Sequence, residues 1–288
     1  MTAMKPEKRI PEKWLPLLEK FIEIVRSYDT NVTLRQLHYQ LVSRPEVPAP
    51  YGDSRPYTNT LNCYTDLSYY TAIARREDWF PDLLDANREI RRYQFWSNLE
   101  NAKRWLAHQY WLDRTKGQPV QLYLGVEKDA LTAQLMSWFG DLLLPVLPVR
   151  GYTSQTFIED VKDECLSDRI LHNHRRQVLL YAGDWDPSGE DILRDFLDRT
   201  EMFDEVIRVA LTEEQVNHFH LPRNPGKPTD TRAKVFAEKH GGLWQVELDA
   251  LSPTDLRALY QAAIDQFWDK DAYQRVLEQE EKDRESLS

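Results

Sequence analysis

The sequence of 288 residues contains only two cysteines, Cys63 and Cys165. Two cysteines exclude a disulfide framework and a cysteine-based zinc site, and they fit a reducing compartment. A stretch of about eighteen consecutive apolar residues is also missing, so we expect no transmembrane helix and no membrane partner. The charged N-terminal residues lack the apolar core of a signal peptide, and we therefore expect a cytoplasmic protein.

A net basic charge is missing as well, because the formal net charge is −10. The charge is unevenly distributed along the chain. Residues 1–115 hold 17 Lys and Arg against 15 Asp and Glu, whereas residues 116–288 hold 20 against 32. This distribution allows DNA contact by the first part and metal binding by the second. An acidic enzyme with a small substrate is the alternative that charge alone leaves open.

The sequence changes character near residue 115, which predicts a domain boundary there. Four short apolar runs follow, and amphipathic segments of helical period separate them. The runs are 120–126, 142–149, 177–183 and 205–211. This alternation predicts an α/β fold with a parallel sheet over residues 116–288. Residues 243–251 also read as a strand, and we expect residues 278–288 to be solvated or frayed.

Residues 1–115 predict a small helical domain. Thr33 is the predicted N-cap of a helix over 34–44, and a proline-rich loop leads to a second helix over 57–76. The second helix ends in Arg75 and Arg76. This pattern is typical of a helix-turn-helix or winged-helix DNA-binding module, although any small helical domain could show it.

Acidic residues follow two of the predicted strands directly. Glu127 follows the first strand, and Asp184 and Asp186 follow the third in the segment "GDWDPSG". Ligands of α/β sheets bind at the carboxyl ends of the strands, so we expect these three carboxylates to meet. A cluster of carboxylate oxygens suits Mg²⁺, and Mn²⁺ could replace it.

The neighbouring residues support a close approach of the backbone at this point. Gly183 and Gly189 permit it, and Ser188 is the expected cap of the next helix. Each acidic segment also has a plainer interpretation. "VEKD" can be an ordinary helix start and "DWDPSG" an ordinary turn. Their order within one sheet favours a metal site.

The segments "VEKDAL" and "GDWDPSG" resemble the metal-binding elements of Toprim domains. "TLRQLHYQLVSR" resembles the Arg-x-x-x-Tyr helix of the topoisomerase VI A subunit and its relatives, in which a winged-helix domain precedes the Toprim domain. The resemblance covers most of the chain in the same order and is nearest to the short stand-alone proteins called Mini-A. His38 stands where the family commonly carries a second aromatic residue before the tyrosine.

The resemblance implies a type IIB topoisomerase activity with a Toprim domain that binds Mg²⁺ through Glu127, Asp184 and Asp186. It also implies that Tyr39 is the nucleophile, that Arg35 assists it, and that double-stranded DNA is the substrate. The active form would be a homodimer in which the tyrosine of one subunit works with the metal of the other. Because the sequence holds no ATP-binding motif, any ATPase subunit of the B type would be a separate protein.

The chemistry of the first part is consistent with this assignment. Arg35 and Tyr39 are four residues apart, so they share a helix face and can reach one phosphate. A guanidinium would favour the phenolate form of a tyrosine, whose ordinary pKa of about 10 makes it a weak nucleophile at neutral pH. Two alternatives remain: Tyr39 can be a plain core residue, since its helix also carries Leu34, Leu37 and Leu41. Arg35 can equally be a surface ion-pair partner.

Several basic residues are candidates for contact with DNA phosphates. They are Arg75, Arg76, Arg88, Arg91, Arg92 and, beside the presumed metal ligand, Lys128. Three hypotheses follow from the sequence: tyrosine transesterification, hydrolysis of DNA by a Toprim nuclease, and DNA binding without catalysis.

Overall fold

The structure of the chain is a computed structural model that describes residues 10–28, 32–44, 46–48, 56–84 and 93–287. The candidate DNA contacts Arg88, Arg91 and Arg92 lie outside the described residues. None of the helices in the described ranges is both long enough and apolar enough to cross a membrane.

The described residues form a mixed α/β structure. In chain order the helices are α1 Leu15–Arg26, α2 Leu34–Val42, α3 Leu61–Arg76, α4 Leu99–Gln109, α5 Asp129–Phe139, α6 Gln155–Leu171, α7 Pro187–Thr200, α8 Glu213–His218, α9 Ala233–His240, α10 Pro253–Ile264 and α11 Lys270–Leu287. The strands are β1 Val120–Val126, β2 Val146–Pro148, β3 Arg176–Ala182, β4 Glu205–Ala210, β5 Asn224–Pro225 and β6 Trp244–Gln245. Short 3-10 helices cover Glu12–Trp14, Gly140–Leu142 and Leu248–Ala250.

The chain folds as two compact units, and each unit is built from two segments of the sequence. The first unit comprises residues 1–86 and 212–256, and the second unit comprises residues 87–211 and 257–288. The sequence predicts a DNA-binding domain over residues 1–115 and a metal-binding domain over residues 116–288. This functional division stays a prediction.

The second unit contains a four-stranded parallel sheet in the order β2-β1-β3-β4. This sheet confirms the predicted α/β class. Every residue of β1 is buried, and β3 is buried after its first residue, which explains why both strands are continuous apolar runs in the sequence. The central pair places Val126 opposite Ala182, so β1 and β3 end side by side.

One strand of this sheet is shorter than its apolar run predicts. The run 142–149 forms a strand only over Val146–Pro148, because Gly140–Leu142 continues the helical path of α5 and Leu143 adopts a left-handed conformation with φ of 52°. The apolar residues before the strand are needed for packing: Leu142 and Leu144 are both buried. In this segment the apolar run therefore predicts which residues are buried better than it predicts the extent of the strand.

The expectation of a solvated or frayed C-terminal segment was right about exposure for most of the segment and wrong about fraying. Residues 270–287 form helix α11, and Glu280 within it is 1% exposed. Its carboxylate accepts hydrogen bonds from Arg114 Nη2 at 2.7 Å and from the backbone N–H of Leu112 at 2.9 Å. The partner residues lie more than 160 positions away in the sequence, so the acidic composition of the segment gave no sign of this pairing.

The first unit contains α1, α2 and α3 around an apolar core. The Thr33 side chain accepts from the backbone N–H of Gln36 while the Gln36 side chain accepts from the backbone N–H of Thr33, so the predicted N-cap is a complete capping box. Leu37 and Leu41 of α2 are at most 1% exposed within the core. Helix α3 begins at Leu61 instead of residue 57, because Tyr57 donates its backbone N–H to Val47 and Thr60 caps the helix.

The second segment of the first unit contains little strand. Only Trp244 and Gln245 of the predicted strand 243–251 pair, with Asn224 and Pro225. Pro225 has no N–H to extend the ladder. The chain then turns through the 3-10 helix Leu248–Ala250, which packs against α2.

Candidate active site

At the carboxyl end of the sheet, the side chain of Glu127 meets the backbone of Asp184, another predicted metal ligand. The Glu127 N–H donates to the Ala182 carbonyl at 3.0 Å, which extends the β1–β3 ladder by one bond. Glu127 Oε2 then accepts the backbone N–H of Asp184 at 2.8 Å. The side chain that directly follows β1 therefore fixes the turn that follows β3.

Asp186 fulfils the role that sequence reasoning gave to Ser188. It is the N-cap of α7, and its Oδ1 accepts the N–H of Gly189 at 2.7 Å, with Pro187 at the first helical position. The expectation that Ser188 caps the helix was wrong because the helix begins at Pro187 and already includes Ser188. The plain interpretation of an aspartate cap thus applies to Asp186.

The glycines beside these aspartates are required by close contacts. A Cβ on Gly183 would lie 2.5 Å from the Tyr181 hydroxyl and 2.9 Å from Glu127 Oε2. A Cβ on Gly189 would collide with the backbone carbonyl of Asp184. Any larger residue at either position would therefore require a shift of Tyr181, of Glu127 or of the Asp184 backbone.

Two cationic side chains lie among the carboxylates. Lys128 Nζ is 3.0 Å from Asp184 Oδ1, with 15% and 11% of the two side chains exposed. Arg208, near the end of β4, donates from Nη2 to the Asp184 carbonyl at 2.7 Å and from Nε to the Leu211 carbonyl. Sequence reasoning missed Arg208, although an arginine that interrupts the apolar residues of "VIRVAL" is a signal that could have identified it.

The electrostatic environment raises the pKa of Glu127. Burial is the main cause, and the negative charge of Asp186 adds to it, while the Asp184 N–H, Lys128 and Arg208 act in the opposite direction. Burial also raises the pKa of the neighbouring Tyr181, and the charge of Glu127 contributes. Perturbed titratable groups at the end of a sheet are typical of functional sites, although structural ion-pair networks also perturb pKa values.

The donor types at this site fit a hard divalent cation. Glu127 Oε1 forms no hydrogen bond with a described residue, and the Tyr181 hydroxyl is fully buried with no hydrogen-bond partner among the described residues. The positions of these side chains are less favourable for metal binding. In the described ranges, no group of three His, Cys, Asp or Glu side chains is gathered closely enough to hold a metal ion. Asp184 is paired with Lys128 and Asp186 is engaged with α7.

The other predicted pair, Arg35 and Tyr39, lies in the first unit. Arg35 Cζ is 5.5 Å from the centre of the Tyr39 ring, so the helix does bring the two side chains together. Tyr39 is only 9% exposed, and it is absent from the core cluster that contains Leu37 and Leu41. It is buried on another side of α2, beneath Arg35.

Two acidic residues that the sequence did not single out engage Arg35. Arg35 Nε donates to Asp249 Oδ2 at 3.1 Å, and Nη2 donates to Glu247 Oε2 at 3.2 Å. Burial acts to lower the pKa of Arg35, but Asp249, Tyr39 and Glu247 together raise it above its ordinary value. The guanidinium is therefore charged and held at two of its nitrogens.

The His38 ring packs among aromatic side chains. Its ring makes edge contacts with Tyr39, Tyr57 and Tyr64, with centroids 5.2–5.4 Å apart. Its Nδ1 lies 2.8 Å from the Tyr57 hydroxyl. Burial lowers the pKa of His38, and nearby Arg35 adds to the effect. The ring is thus neutral at pH 7 and stiffens one side of Tyr39.

The candidate DNA contacts that are described lie at the ends of two helices. Arg76 is exposed at the end of α3, while Arg75 is half-buried and donates to the Thr71 carbonyl at 3.4 Å. Lys128 precedes α5 and is engaged with Asp184. Arg76 is therefore the most accessible of the three.

Comparison with protein-family models, with curated proteins and with solved structures gives no match to this chain.

Proposed function

We propose that this chain is a Mg²⁺-dependent DNA-cleaving enzyme of the topoisomerase VI A type. The observation that carries the proposal is the meeting of Glu127 with the turn that holds Asp184, at the carboxyl ends of adjacent parallel strands. This is where α/β sheets bind ligands. In this proposal residues 116–288 form a Toprim domain, and residues 1–115, which include α1–α3, form a winged-helix-like domain.

The carboxylates of Glu127, Asp184 and Asp186 would hold the metal, for which Mn²⁺ could substitute. When bound, the ion would neutralise negative charge on the scissile phosphate or hold the released 3′ end. Lys128 would then leave Asp184 and become available to a phosphate oxygen, because the metal would take over its role as counter-charge. Asp186 would act from its position as the cap of α7.

Tyr39 would perform the cleavage. Its phenolate oxygen attacks the phosphorus, a phosphotyrosyl bond to the 5′ end forms, and the bond to the 3′ oxygen breaks. The phenol proton goes to solvent, and the 3′ oxygen takes up a proton and leaves as a hydroxyl. Since one phosphoester replaces another, the break can be resealed. Arg35, half of whose side chain is exposed, would pair with the phosphate.

The remaining partners are implied by the resemblance alone. Arg75, Arg76 and Lys128 would contact the DNA backbone, and two copies of the chain would form a homodimer that combines the tyrosine of one subunit with the metal of the other. A separate B-type ATPase would be needed for strand passage.

A specific observation favours a second candidate, a Toprim nuclease that cuts DNA by hydrolysis. Tyr39 is 9% exposed, and that burial is typical of a packing residue. In this alternative the carboxylates keep their role, water replaces the tyrosine as nucleophile, and Tyr39 is structural.

Cleavage of labelled supercoiled DNA with Mg²⁺ or Mn²⁺ separates these candidates. After denaturation we expect protein attached to 5′ ends with the wild-type chain, and no attachment with Tyr39→Phe or Asp184→Ala. Tyr93→Phe and Asp198→Ala are matched controls, because Tyr93 is 98% exposed and the Asp198 side chain is 63% exposed.

Each alternative outcome has a distinct meaning. Cutting that survives Tyr39→Phe but fails in Asp184→Ala would identify the hydrolytic nuclease. DNA binding without cutting, in the presence of either metal, would contradict catalysis by this chain alone.

A further inference from the structure

We propose that Asp249 and Glu247 are positioning residues for DNA cleavage: they hold the Arg35 guanidinium over the Tyr39 ring and leave one edge of it open for the substrate phosphate. This inference rests on the proposed function and extends it to a segment that lies more than 200 residues from Arg35 in the sequence.

The hydrogen bonds define the orientation of the guanidinium. Nε is bonded to Asp249 and Nη2 to Glu247, so one edge of the planar fork faces the two carboxylates. Nη1 has no hydrogen-bond partner among the described residues, and 52% of the Arg35 side chain is exposed. The free edge is therefore presented to solvent while the same guanidinium lies 5.5 Å from the Tyr39 ring.

The carboxylates are supported independently of Arg35. The Asp249 side chain is 2% exposed, and its neighbours Leu248, Ala250 and Leu251 are at most 4% exposed. Gln40 Nε2 donates to the Ala250 carbonyl at 3.2 Å, and the Tyr28 hydroxyl donates to Gln40 Oε1 at 2.6 Å. This anchor keeps the segment 247–250 against α2 before any substrate is present.

The burial of Asp249 separates this contact from an ordinary surface ion pair. Exposed pairs are mobile and contribute little, whereas a buried carboxylate holds its partner in a single geometry. A catalytic guanidinium requires such geometry, because a misplacement of about 1 Å can reduce a rate on the order of 100-fold. A single carboxylate would leave the fork free to rotate, and the second one, Glu247, prevents this.

The test compares Asp249→Ala, Asp249→Asn and Glu247→Gln with the wild-type chain. We expect the single-turnover rate of covalent attachment to fall about 100-fold in Asp249→Ala and about 10-fold in Asp249→Asn, because asparagine keeps an acceptor oxygen for Nε. The dissociation constant for DNA should change less than threefold. Asp230→Asn is the matched control, since Asp230 bonds Arg232 within the same unit.

A second readout does not depend on activity. The Nε–H proton of Arg35, assigned by NMR through its loss in Arg35→Lys, should exchange slowly with solvent in the wild-type chain and rapidly in Asp249→Ala. If wild-type protein forms the adduct and Asp249→Ala forms it equally fast, the positioning role is wrong while the proposed function stands.

If the wild-type chain forms no adduct, the proposed function fails. The exchange measurement alone then shows whether Asp249 holds the Arg35 guanidinium. Slow exchange that Asp249→Ala abolishes would support the positioning of Arg35. Rapid exchange in the wild-type chain would overturn it.

Discussion

At the scale of single residues, the acidic site combines groups that are unfavourable to one another. Glu127 is partly buried near Asp186, and its pKa is raised mainly by that burial. Lys128 and Arg208 offset part of the negative charge. A chain that needed only a stable turn could use neutral residues here, because burying a carboxylate opposes folding. The proposed cation would offset this cost when it binds.

Replacement of Glu127 by glutamine tests this cost. In the absence of metal, we expect Glu127→Gln to raise the midpoint of thermal unfolding of the second unit by about 2 °C at pH 8. The pKa of Glu127 is higher in the folded state than in the unfolded state. Protonated Glu127 therefore contributes stability that is fully present at a pH below the unfolded-state pKa. This contribution is lost as the pH rises through the folded-state pKa. The advantage of glutamine should accordingly disappear near pH 4.

Calorimetry with added Mg²⁺ completes that comparison. The wild-type midpoint should rise with Mg²⁺ concentration, and the Glu127→Gln midpoint should not. A glutamine variant that is less stable than the wild-type chain without metal would show that Glu127 has a purely structural role.

At the scale of elements, the sequence predicted the features that depend on neighbouring residues. It did not predict the contacts between residues that are far apart in the chain. Strand β1 occupies the predicted residues 120–126, since a fully buried parallel strand has an unmistakable apolar run. The capping box at Thr33 is similarly local. In contrast, the segment around Asp249 was predicted as strand, and its pairing with Arg35 across 214 residues has no local signal. The acidic residues that contact Arg35 could therefore not be predicted from the sequence.

The junction of α6 with β3 shows another long-range network. Arg175, just before β3, bonds both carboxylate oxygens of Asp168 on α6, the Thr115 carbonyl and Gln121 Oε1. Burial acts to raise the pKa of Asp168, but the hydrogen bonds from Arg175 and Gln177 lower it overall. The ion pair thus joins the end of α6 to the start of β3, the strand that leads to Asp184.

Loss of this arginine should destabilise the second unit. We expect Arg175→Met to lower the free energy of unfolding by about 3 kcal/mol, because it leaves Asp168 buried without its cation. Urea titration followed by tryptophan fluorescence measures the change. Arg194→Met is the matched control, since Arg194 pairs with Asp191 and Asp198 on the exposed surface of α7, and we expect a loss below about 0.5 kcal/mol. Equal losses in both variants would contradict the structural role of Arg175.

At the scale of the whole molecule, the charge of the first compact unit differs from the charge of residues 1–115. The first unit holds 16 Lys and Arg against 19 Asp and Glu, because residues 212–256 add acidic residues to it. Its net charge is −3, whereas residues 1–115 alone carry +2. The proposed DNA binding therefore has to rely on local clusters such as the end of α3, and it should be sensitive to salt.

Mapping of the covalent DNA adduct tests the central claim most directly. Wild-type protein is incubated with Mg²⁺ and a short duplex, denatured, digested with nuclease and protease, and analysed by mass spectrometry for a tyrosine that carries a 5′ nucleotide. We predict the nucleotide on Tyr39, with no other of the 14 tyrosines modified. A nucleotide on a different tyrosine, or cleaved DNA with free 5′ phosphates and unmodified Tyr39, would contradict the account.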